Sequence, residues 1–189
     1  MPRDPVALPL GRFARAGFQA LSESREGLSS LAALVGRPVD GLLEAFASAA
    51  DPDAALSRLS SLAEQHPRTL QGLGDAEWRR LALLVGASPA LGAFFARHPG
   101  RLAEILDRGG RLVDDAEARA ELLAAVDADP DPARTAPVAG RVSEPGWTAL
   151  RVRYRELLAE AMLFDLEAGV RGEAPEVLGE VAATLSGLA

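Results

Sequence analysis

Asp51-Pro52-Asp53-Ala54-Ala55-Leu56-Ser57-Arg58-Leu59-Ser60-Ser61-Leu62-Ala63 is the stretch on which the fold turns. Asp51 is a strong helix N-cap, and Pro52 suits the first helical position, where no amide hydrogen is needed. Leu56, Leu59, Leu62 and Ala63 then recur at helical spacing and form one apolar stripe. The same grammar repeats outward. Ser88-Pro89 is a second cap-and-proline start, and Gly36 and Gly86 sit where helices should stop. Trp78, Leu81, Ala82 and Val85 form another stripe; Val177, Leu178, Val181, Leu185 and Leu188 form the last. Strand-like alternation of β-branched residues is absent, so the spacing predicts an all-α chain, an irregular multi-helix bundle of about ten helices.

The expected helices lie near residues 6–16, 24–35, 39–49, 52–66, 75–85, 89–97, 99–108, 115–127, 145–170 and 175–189. Most connections are short, as between neighbours in a bundle. The exception is Ala128 to Ser143, with Asp-Pro-Asp-Pro, then Thr135-Ala136-Pro137, then Gly140, which reads as an exposed linker. The expected organisation is therefore an N-terminal bundle over 1–127, a linker over 128–144 and a helical pair over 145–189. Leu31 to Pro38 echoes Leu81 to Pro89, but two copies are shared helix–turn–helix punctuation, whereas a repeat array needs three.

Composition limits the chemistry. The 189 residues contain no cysteine, which excludes thiolate catalysis and disulfides. A net charge of −7 suits solubility and is a poor match for nucleic acid, which clustered cations bind. No apolar run approaches the ~20 residues that span a bilayer. Nothing after Met1-Pro2-Arg3-Asp4-Pro5 resembles a signal peptide, so a cytoplasmic location is expected. Every basic side chain is Arg, Asn is absent and Ile105 is the one isoleucine. Lys, Asn and Ile all use AT-rich codons, so this bias reflects genomic base composition.

Candidate sites are few. His66 and His98 each precede a proline at a helix C-terminus, where the dipole favours a cation, and no ligand spacing accompanies them. Asp51-Pro52-Asp53 and Asp129-Pro130-Asp131 look superficially like the Asp-x-Asp of metal-dependent nucleotidyl transfer. That chemistry needs both carboxylates on one rigid strand beside a phosphate-binding loop, and here one pair opens a helix and the other lies in a linker. Asp114-Asp115 is likewise a helix start. No catalytic, cofactor-binding or metal-ligating residue is expected.

Residues 145–170 hold the most informative arrangement. At ~100° per residue, Leu150, Tyr154, Leu157, Leu158 and Ala161 share one face, and Asp165 falls in its middle. Such a carboxylate is either paired inside the fold or presented to another domain. Arg151 and Arg155 lie one turn apart at the edge of this face, as a solvated surface or a contact for carboxylates or phosphates. These three residues are the candidate interdomain contact.

Leu150-Arg151-x-x-Tyr154-Arg155-Glu156-Leu157-Leu158, with Ala161 and Asp165-Leu166, resembles a helix of the glutamine synthetase adenylyltransferases. Val177-x-x-Glu180-Val181-Ala182-Ala183-x-Leu185-Ser186-x-Leu188-Ala189 resembles the helix that leads into their nucleotidyltransferase core. Val85 to Leu91, Arg97-His98-Pro99 and Phe13-Ala14-Arg15-x-Gly17-Phe18 are similar to that family too, in the family's order. Two positions depart from it: Phe164 stands where Arg is usual, and Gly187 where an acidic residue is expected. The resemblance implies a bifunctional enzyme. One half attaches AMP from ATP to a tyrosine of glutamine synthetase, and the N-terminal half removes it by phosphorolysis, giving ADP. It implies Mg²⁺ held by an Asp-x-Asp in a sheet-and-helix domain, with glutamine and PII-type signalling proteins setting the balance. The chain is expected to be the helical start of the removing half, a support and docking module without ATP or Mg²⁺ of its own, preceding the catalytic core. The alternatives are a free-standing α-helical adaptor and a helical-repeat scaffold.

Overall fold

The computed structural model describes residues 8–109, 111–129, 131 and 136–188. Among them the regular structure is entirely helical: α1 (Leu10–Arg15), α2 (Leu21–Val35), α3 (Val39–Phe46), α4 (Pro52–Gln65), α5 (Pro67–Gln71), α6 (Asp75–Ala87), α7 (Pro89–Arg97), α8 (Leu102–Asp107), α9 (Asp115–Ala125), α10 (Glu144–Arg171) and α11 (Ala174–Leu188), with a 3-10 turn at Pro99–Arg101 before α8. The all-α expectation holds. Residues 6 and 7 of the first expected helix lie outside the described residues.

Two expectations about punctuation change. His66-Pro67 does not simply end a helix. His66 closes α4, Pro67 restarts the chain as α5, and this short helix was not anticipated. Gly86 does not stop α6, which runs on to Ala87. A Cβ at Gly86 would stand 3.0 Å from the Ala49 Cβ and 3.4 Å from the Asp51 carbonyl oxygen, so this glycine serves close approach rather than termination. Gly36 does terminate α2, in the left-handed conformation with φ 70°.

The chain forms two compact units, residues 1–107 and 108–189. In the first, α4 packs on α2 and α6, and α6 also packs on α3. The stripe Leu56, Leu59, Leu62 and Ala63 is buried there, together with Leu28, Leu31, Leu42, Trp78, Leu81 and Leu84. Each large side chain so placed contributes ~1.5–3 kcal/mol of apolar burial. Phe13, Phe18 and Phe46 form an aromatic chain, with ring centroids 5.6 Å and 6.1 Å apart. Gly17, at φ 90°, makes the turn that brings Phe18 back beside Phe13. Helix lengths in this unit run from 5 to 15 residues, without the equal pairs of a repeat scaffold.

In the second unit α10 packs on both α9 and α11. Val113, Ala118, Leu157 and Leu188 make its core, with Leu122, Tyr154 and Leu158 against them. The boundaries expected at 127 and 144 fall inside this unit. The chain between α9 and α10 is tied at its base: the Arg141 amide donates to the Val126 carbonyl (2.9 Å), and the Arg141 guanidinium pairs with Asp127 (3.0 Å).

Candidate functional site

The acidic pair at the start of α4 is occupied by capping. Asp51 accepts from the Ala54 amide at 2.9 Å and closes the first turn of its own helix. Asp53 points the other way. It accepts from the Gln19 amide (2.7 Å), the Ala20 amide (3.4 Å) and the Ser24 hydroxyl (2.5 Å). Ala20, the N-cap residue of α2, has no side-chain acceptor, so Asp53 supplies the cap from a different helix. Burial pushes the Asp53 carboxyl up, but the bonds from Gln19, Ser24 and Ala20 outweigh it and hold the group below its ordinary range. Both carboxylates therefore stabilise helix ends, and neither has the strand that paired metal ligands need.

The other candidates are similarly engaged. The Asp131 amide donates to Asp129 at 3.1 Å, a local turn. Asp114 caps α9 through the Glu117 amide (2.8 Å). His66 lies 3.3 Å from the Ala96 carbonyl oxygen, and His98 packs against Phe94 with ring centroids 4.9 Å apart. Among the described residues no group of three His, Cys, Asp or Glu side chains could hold a metal ion. A groove of about 580 Å³ lies along α9 and α11, lined by Leu112, Val113, Asp114, Asp115, Glu180 and Thr184. Its charged lining is all carboxylate, which repels a triphosphate.

The dominant electrostatic feature is one the helical wheel did not reveal. Arg153 sits in α10 with its side chain 13% exposed. It bonds Glu121 of α9, Glu156 at 2.6 Å and Glu160 at 3.3 Å. Arg108 bonds Glu121 at 2.7 Å and Glu160 at 3.1 Å, and Arg111 holds Glu117 in a two-pronged pair at 2.8 and 2.7 Å. Burial would lower the Arg153 pKa, but Glu156, Glu121 and Glu160 together raise it, so the guanidinium stays charged. Burial pushes the Glu160 carboxyl up, only partly offset by Arg153 and Arg108. At Glu121 burial acts the same way, yet the bonds from Arg108 and Arg153 bring it below its usual range. This network ties the chain after α8 to α9 and α10. Charged residues at i, i+3 and i+7 on a helix, here 153, 156 and 160, are the signal that could have found it.

Of the three residues named as an interdomain contact, Arg151 and Arg155 lie one turn apart in the first half of α10 and Asp165 lies near its other end. Arg151 is exposed and pairs with Glu144 at 3.3 Å. Arg155 is exposed, and Asp165 is half-buried; neither makes a side-chain hydrogen bond or ion pair among the described residues. The apolar face drawn through Leu150 and Leu157 is only part of what α10 buries, because Ala159, Glu160 and Leu163 are buried as well. Gly187 lies against Asp115 so closely that a side chain there would displace the carboxylate. A carboxylate at 187 would also meet like charge, which accounts for glycine at this position.

No family model matches the chain, and no solved structure matches it. It is similar along its whole length to a bifunctional glutamine synthetase adenylyltransferase/adenylyl-removing enzyme of Leifsonia xyli subsp. xyli, 41% identical over 198 aligned residues. Enzymes of the same description from Bifidobacterium longum subsp. infantis and Cutibacterium acnes are 35% and 36% identical, over 82% and 74% of the chain. The chain spans 18%, 15% and 14% of the length of these three relatives.

Proposed function

We propose, from the premise that this chain belongs to the bifunctional glutamine synthetase adenylyltransferase/adenylyl-removing family, that it is a helical support and docking segment of such an enzyme. The observation that carries this reading is the use of Asp51 and Asp53 as caps for α4 and α2. The carboxylates that most resemble phosphate-transfer ligands hold helices instead, so nucleotidyl chemistry belongs to other parts of a longer polypeptide. In this reading that polypeptide modifies glutamine synthetase with AMP and removes it, with Mg²⁺ and ATP or phosphate bound outside these residues. PII-type signalling proteins, and a cytoplasmic setting, belong to the same proposal. No helix among the described residues is long and apolar enough to cross a membrane.

The test is adenylyl removal from AMP-modified glutamine synthetase with phosphate and Mg²⁺, followed as ADP release. The whole polypeptide is expected to be active and the 189-residue chain inactive. Release by the chain alone would overturn the reading. Exposed Trp147 and Leu178 favour a second reading, a free-standing adaptor that binds another protein. The genomic reading frame separates the two: a stop codon after Ala189 supports the adaptor, and continuation into a glycine-rich segment with Asp-x-Asp supports the enzyme.

A further inference from the structure

Helix α10 has 28 residues and α11 has 15, which is ~42 Å against ~22 Å at the usual rise per residue. The two are joined by a tight turn at left-handed Gly172 and run back along each other. Leu188, near the end of α11, packs with Leu157. The first three turns of α10, residues 144–155, therefore project beyond the end of α11. Trp147, Arg151 and Arg155 follow one another at i, i+4 and i+8, on one edge of that projection.

This edge has the composition of a binding hot spot. Trp147 is 56% exposed, whereas Trp78, the other tryptophan, is buried. Trp and Arg are the residues that most often anchor protein interfaces. Arg155 has no ion pair among the described residues, and the Arg151–Glu144 pair is exposed on both sides, so a partner carboxylate can replace it at little cost. The edge is cationic on a chain whose net charge is −7. That overall charge works against an anionic membrane or nucleic acid, while a local protein carboxylate feels mainly the nearby guanidiniums.

We infer that the Trp147–Arg151–Arg155 edge of α10 is a docking surface for a carboxylate-bearing segment of the same, longer polypeptide. This rests on the functional reading above. The occupant follows from the relatives: the chain aligns end to end with one of them yet spans 18% of its length, leaving most of that polypeptide to supply the partner. Its apolar side chains would cover Trp147, and its Asp or Glu residues would take Arg151 and Arg155 in forked pairs.

The experiment places the photo-crosslinking residue p-benzoylphenylalanine at Trp147 in the whole polypeptide and identifies the captured peptide by mass spectrometry. The expected product is an intramolecular cross-link to an Asp- or Glu-containing peptide outside residues 1–189, lost when Arg151→Glu and Arg155→Glu are added. Helix content by circular dichroism should stay unchanged, because all three side chains are exposed. Cross-links confined to residues 1–189, to a second copy, to lipid or nucleic acid, or none at all would overturn the inference while leaving the enzyme reading standing. A reading frame ending at Ala189 would overturn both.

Discussion

Asp53 shows most clearly how one side chain can look like chemistry and act as structure. It accepts from the Gln19 and Ala20 amides that lead into α2 and from the Ser24 hydroxyl in the first turn of that helix. Asp53→Ala should cost about 1 kcal/mol, up to ~2 kcal/mol for a cap serving several donors. Asp51→Ala, which loses one bond, should cost about 1 kcal/mol. Urea unfolding of both variants beside the parent checks the order. The pH dependence has a definite sign. The folded pKa of Asp53 is lowered, so its contribution is complete above the unfolded value of ~3.9 and is lost as pH falls through the folded one. Asp53→Asn should be less sensitive to acid than the parent in that window. The role of Asp51 was legible because a cap and its helix are adjacent in sequence. That of Asp53 was not, because its donors lie 29 to 34 residues upstream and meet it only once α2 and α4 pack.

At the scale of elements, the stripes and caps located most helices, since period and punctuation are local. They missed α5, where one proline both ends a helix and opens the next. They also misjudged α10. A wheel drawn from aliphatic residues finds one face, but α10 is packed between α9 and α11 and buries charge. The network centred on Arg153 gives two predictions. Arg153→Ala removes the guanidinium that buried Glu156 and Glu160 share, leaving Glu160 its bond from Arg108, and should cost about 3 kcal/mol. Glu160→Gln should cost much less. Burial raises the Glu160 pKa, so its ionisation opposes folding as pH rises through that raised range. Thermal melts of the two variants compare the costs. Glu121 and Glu117 have lowered folded pKa values, the second through its pair with Arg111. Their contribution is present above the unfolded value of ~4.3 and lost below it. Amide hydrogen exchange should therefore show α9 losing protection as pH falls through this range.

For the whole molecule, the family was legible in scattered motifs whose order carried the weight: Phe13 to Phe18, Val85 to Leu91 and Leu150 to Asp165. The grouping of α9 with α10 and α11 was hidden, because the proline-rich stretch after α9 looks like a boundary while the bonds from Arg108 to Glu160 and from Arg153 to Glu121 cross it. In the function proposed above, this helical chain supports phosphate chemistry carried out elsewhere. Isothermal titration of the 189-residue chain with Mg-ATP tests it most directly. No saturable heat is expected at micromolar nucleotide; micromolar binding that disappears in an Asp51→Asn, Asp53→Asn double variant would contradict the proposed function.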